Sequence, residues 1–150
     1  MNIINNMNEE YYESKEELAQ CFLTNLAEKI KIPSEIYNKL SEKGENVVAV
    51  IPGKSKKISF FITNASQVLF IRLKLDKDSL NDKFFISLRS TLKELKLSNL
   101  FSTGLCFKDE ICVWEGVFEF SKEQVFEEIQ EQFKNIAHVQ EAEFQKIEVE

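Results

Sequence analysis

Gln67-Val68-Leu69-Phe70-Ile71-Arg72-Leu73-Lys74-Leu75 is the stretch on which the fold turns. Leu69, Ile71, Leu73 and Leu75 occupy alternate positions and share one face of a strand, while Val68, Phe70, Arg72 and Lys74 share the other. Behind it, Ser79 and Asp82 are placed to cap a helix whose Leu80, Phe84, Leu88, Leu92 and Leu95 recur at spacings of three and four. Residues 99–107 and 111–120 read as two strands joined in a hairpin by Lys108-Asp109-Glu110. Ser121-x-x-Gln124 has the form of a capping box, and Val125, Phe126, Ile129, Phe133 and Ile136 follow on one helical face. A last strand runs over residues 139–149, which completes the order β-α-β-β-α-β.

That order predicts an α+β protein with a ferredoxin-like C-terminal domain, preceded by a helical segment and a β-hairpin. Its core is expected to contain Leu69, Ile71, Leu73, Leu88, Leu92, Phe126, Ile129 and Phe133, where strand and helix periodicities point into one layer. Both helices then lie on one side of the sheet, and the other side is open. Val68 and Phe70 face it from the first strand, with either Trp114, Phe118 and Phe120 or Val113 and Val117 from the third. An open apolar face is a liability, so a homodimer or the N-terminal segment should cover it. Gly116, within Trp114-Glu115-Gly116, marks a bulge, a close approach or a packing gap inside a strand.

Upstream, residues 1–10 are polar and asparagine-rich and read as a disordered leader. Ser14-x-x-Glu17 is a capping box, and Leu18, Cys21, Phe22 and Leu26 follow at helical spacing. Pro33 ends that segment, and Ser34 opens a shorter helix carrying Ile36, Tyr37 and Leu40. Gly44 closes it, and residues 46–51 and 57–63 form a hairpin around Pro52-Gly53-Lys54-Ser55-Lys56. The expected organisation is a leader at 1–10, a helix-helix-hairpin segment at 11–63 and a β-α-β-β-α-β domain at 66–150, with the break at Thr63-Asn64-Ala65-Ser66.

A chain of 150 residues with 43% hydrophobic content can bury a core of ordinary size. Its longest apolar runs fall far short of the roughly 20 residues a membrane span needs, so no membrane partner is expected. Cys21, Cys106 and Cys112 form no CxxC pair, and their odd number argues for free thiols in a reducing cytoplasm. Cys106 and Cys112 sit opposite one another across the hairpin, as two small hydrophobes or as a redox or soft-metal pair. The net charge of -6 is uneven: residues 29–63 carry seven lysines against three glutamates, and residues 121–150 three lysines against eight. A polyanion would be drawn to the former, unless a lysine-rich composition accounts for the excess. His138 stands alone, Glu127, Glu128 and Glu131 fall on a solvated helix face, and no glycine-rich phosphate loop is present. No catalytic residue, cofactor or metal is therefore expected.

Residues 67–149 resemble an ACT domain, or the similar ligand-sensing domain of Lrp/AsnC regulators. The order of elements carries the resemblance, with Ser102-Thr103-Gly104 entering the hairpin and Ala137-His138-Val139 leading into the last strand. It implies a regulatory module that pairs as a dimer and holds a metabolite at the first strand-helix loop, here Asp76-Lys77-Asp78-Ser79-Leu80. Asp76, Asp78 and Ser79 would meet that ligand beside Ser102 and Thr103, and the two aspartates favour a cationic or zwitterionic molecule. Residues 29–62, with Ile32-Pro33, a short helix and two strands, resemble the swapped-hairpin AbrB/SpoVT type of DNA-binding domain. Lys31, Lys54, Lys56 and Lys57 would then contact DNA. Three functions follow: a non-catalytic module binding a metabolite or protein partner, a ligand-responsive transcriptional regulator, or an unrecognised enzyme or enzyme subunit.

Overall fold

Leu69, Ile71, Leu73 and Leu75 are completely buried, and everything in the C-terminal part is arranged around them. The structure, a computed structural model, describes residues 22–27, 29–53, 56–107 and 110–149. The leader and the Ser14 capping box lie outside the described residues. Within these, the protein is α+β, with two compact units that divide between Ser41 and Glu42. The first contains helix α1 (Ser34–Ser41), none of whose residues is buried.

The second unit begins with an antiparallel hairpin of β1 (Asn46–Val50) and β2 (Ser59–Thr63). Strand β3 (Gln67–Leu75), helix α2 (Asp82–Leu95), strands β4 (Ser98–Cys106) and β5 (Cys112–Phe120), helix α3 (Phe126–Lys134) and strand β6 (Val139–Glu148) follow. The four long strands form one antiparallel sheet in the order β4-β5-β3-β6. Phe84 and Leu88 from α2 and Ile129 and Phe133 from α3 join the β3 leucines, Trp114 and Phe118 in a single core, with Leu92 and Phe126 packed at its margin. Both helices therefore cover the same side of the sheet.

Register settles which face each β5 residue takes. Val113, Glu115 and Val117 pair with Lys74, Arg72 and Phe70 on the open side, whereas Trp114, Phe118 and Phe120 are buried beneath the helices. Gly116 opposes Ile71 on the helix side, and a Cβ there would come within 2.4 Å of the Trp114 ring and 2.7 Å of the Phe118 ring. The glycine is a packing requirement of those two aromatics, whose ring centroids lie 6.1 Å apart.

Three local expectations are corrected. Asn81, not Ser79 or Asp82, caps α2, its side-chain oxygen accepting from the Phe84 amide at 3.2 Å, because Ser79 is buried and its hydroxyl donates to the Lys77 carbonyl. Gln124 accepts from the Ser121 amide at 3.0 Å, but α3 begins at Phe126, so the capping box is a free-standing turn. Gln124 also donates to the Lys96 carbonyl at 3.1 Å, which satisfies an acceptor at the C-terminal end of α2. Finally, Cys106 and Cys112 are not free thiols but a disulfide, directly paired in register across β4 and β5.

The hairpin belongs to the same unit as the sheet, although its sequence suggested a break after Thr63. Thr63 is buried, and its hydroxyl donates to the Glu119 carboxylate at 2.6 Å and accepts from the Ala65 amide at 3.0 Å. The Phe61 ring packs 5.6 Å from that of Phe101 on β4. The open sheet face supplies the apolar surface that draws the hairpin in.

Candidate functional site

The open face is a ladder of four rows. Ile147, Val68, Glu119 and Ser98 form the first; Gln145, Phe70, Val117 and Phe101 the second; Glu143, Arg72, Glu115 and Thr103 the third; Glu141, Lys74, Val113 and Leu105 the fourth. The hairpin is anchored to this face at its Thr63 end. Its other end, from Val48 to Gly53, stands across from the sheet and encloses a cavity of about 670 Å³. Phe70, Phe101, Leu105, Val113, Val117 and Ile147 give the cavity an apolar floor, and Arg72, Glu115 and Thr103 supply its polar groups.

Alternation in β3 puts Arg72 on this face, and pairing puts carboxylates on both sides of it. Its Nε donates to Glu115 at 3.0 Å and its Nη1 to Glu143 at 3.2 Å, while the guanidinium lies 5.5 Å from the centre of the Phe70 ring. The Glu115 hydrogen bond, aided by the negative charge of both glutamates, holds the guanidinium pKa above its ordinary value. The cluster is half-exposed, so it orients groups more than it stabilises the fold.

The ligand residues expected from the sequence are not brought together. Asp76 is turned towards β6: its carboxylate accepts from the Gln140 amide and lies 3.1 Å from His138 Nδ1. These two partners, the Gln140 hydrogen bond first, lower its pKa below the usual carboxylate value. Asp78 is exposed in a left-handed conformation (φ 58°), and Ser79 is buried. Ser102 opposes Gly116 on the helix side, whereas Thr103 opposes Glu115 on the open side. Ser102 is also four residues along β4 from Cys106, which shares a row with Cys112 and Leu75. At about 3.3 Å per residue and 4.8 Å per strand, five residues along and two strands across, Ser102 is roughly 19 Å from Asp76. What the loop does place on β4 is Leu80, whose methyl would lie 2.9 Å from a Cβ at residue 104.

Among these five residues, Thr103 alone lines the cavity. Arg72 and Glu115 went unassigned in the sequence; a charged pair interrupting two strands otherwise rich in Val, Leu and Phe was the available signal. Lys56 and Lys57 are exposed before β2, Lys31 belongs to the other compact unit, and Lys54 lies outside the described residues. Among the described residues, no three His, Cys, Asp or Glu side chains converge as a metal site, and no helix is long and apolar enough to cross a membrane.

No family model matches the chain, and no curated protein matches it. Among solved structures, it is similar to the uncharacterized protein TM1266 from Thermotoga maritima, at 10% identity over 56% of this chain and 99% of that one, with a TM-score of 0.37. That likeness is too low to carry a functional argument.

Proposed function

We propose that the protein is a non-catalytic regulatory module that holds a small metabolite between its hairpin and the open face of its sheet. The cavity is the observation that carries this reading: its volume of about 670 Å³ falls inside the range of roughly 300–1,000 Å³ typical of small-molecule sites. Its lining is mostly apolar, with a few convergent polar groups, as such sites require. The β4-β5-β3-β6 order, with both helices on one side, supports a ferredoxin-like domain of the ACT type. Pairing as a homodimer completes the proposal, since β4 is an edge strand with exposed Leu105 and Phe107 at its end.

Thermal melts against a metabolite panel test the site. A stabilising metabolite should raise the unfolding temperature by mass action, and Val113→Trp, which fills the cavity from its floor, should abolish that rise. Stabilisation that persists in Val113→Trp would place the ligand elsewhere and sink the proposal.

A further inference from the structure

The geometry points to the class of ligand: an amphiphile with an apolar body and a cationic amine, its ammonium bound by Glu115. This deepens the proposed function and rests on the cavity being the binding site. The charge of the sheet face is the first ground. Arg72 and Lys74 are its cations and Glu115, Glu119, Glu141 and Glu143 its carboxylates; because Glu119 lies at the Thr63 end, outside the cavity, the two rows beside the cavity keep one negative charge in excess. Lys74 is already paired with Glu141 at 3.2 Å, and Arg72 with both Glu115 and Glu143. Arg72 keeps N–H donors to spare, but two carboxylates already oppose its charge, so an anionic headgroup would add a third negative charge around one guanidinium, whereas an ammonium meets uncompensated negative charge.

Hydrogen-bonding capacity is the second ground. A carboxylate has about four acceptor sites. Arg72 takes one oxygen of Glu115, so the group retains capacity for an ammonium donor. The Thr103 hydroxyl, opposite Glu115 on β4, is a second acceptor on the same cavity wall. Below them in the ladder lie Phe70, Val117 and Phe101, and above them Val113 and Leu105, so an apolar body has floor on either side of the charged row.

Matched probes test this: hexylamine, hexan-1-ol and hexanoate, which share one alkyl chain, are compared in thermal melts of the full chain, its Glu115→Gln variant and its Val113→Trp variant. Hexylamine should raise the unfolding temperature most and hexanoate least. Glu115→Gln keeps the shape and an acceptor for Arg72 but removes the charge, so it should weaken hexylamine about tenfold, as expected for a charge-assisted hydrogen bond. It should leave hexan-1-ol nearly unchanged. Binding of hexanoate or hexan-1-ol in preference to hexylamine, lost in Val113→Trp, would overturn the amine inference while leaving the cavity reading intact. If no probe shifts the melt, or if all shifts survive Val113→Trp, both fail. A hexylamine shift indifferent to Glu115→Gln overturns the inference alone.

Discussion

Gly116 shows how little room the core leaves. Its missing side chain is the space into which the Trp114 and Phe118 rings close, at distances no Cβ can tolerate. Gly116→Ala should therefore cost about 1–3 kcal/mol through displaced aromatics, measured by denaturant unfolding; a change within a few tenths would mean that the rings swing aside freely. Asp76 gives a second test at this scale. Its pKa is lowered in the folded state, so its contribution is present above the ordinary carboxylate pKa and is lost as pH falls through the lowered value. Wild type should be more stable than Asp76→Asn near neutral pH, and the difference should shrink away as the pH falls below the ordinary carboxylate range. A gap independent of pH would assign the effect to shape rather than charge. The β3 core residues were legible in the sequence because alternation alone fixes a strand's faces. The Arg72–Glu115 pair was not, since its partners depend on the register between β3 and β5, which one strand's pattern does not contain.

At the scale of elements, the strands and helices from Gln67 onward follow the order that their periodicities suggested, with ends shifted by a residue or a few. Helix α3 starts at Phe126 even though Gln124 makes the capping-box bond to the Ser121 amide; its other amide atom ties that turn to the end of α2, a tertiary contact that a local capping pattern cannot reveal. The hairpin's attachment was hidden for the same reason: Thr63 reads as a turn residue until Glu119, fifty-six positions away, accepts a hydrogen bond from its hydroxyl. The β4–β5 connection was legible as a turn but not as a crosslink, because spacing places the two cysteines opposite without fixing their oxidation state. A disulfide that closes so short a loop constrains the unfolded chain modestly. Reduction should lower stability by about 2 kcal/mol in the chain-entropy model, read from unfolding curves with and without dithiothreitol. No change, with two titratable thiols appearing only on reduction, would mean that the hairpin's own ladder already fixes those ends.

For the whole molecule, the proposed pairing is decided by mass. Sedimentation at micromolar concentration should give twice 17.5 kDa if β4 edges associate, and a clean 17.5 kDa species would assign Leu105 and Phe107 to solvent or to another partner. The hairpin already covers part of the face that the sequence left for such a partner, which is why the dimer argument now rests on the strand edge alone. The Cys106–Cys112 bond also changes what counts as one molecule. Because it spans the connection between β4 and β5, a protease that cuts the backbone between the two cysteines separates nothing: the product gains the mass of one water and migrates intact until a reductant is added. The chain can thus be opened there, or given new ends, with both flanking strands still tethered at neighbouring positions of the same sheet.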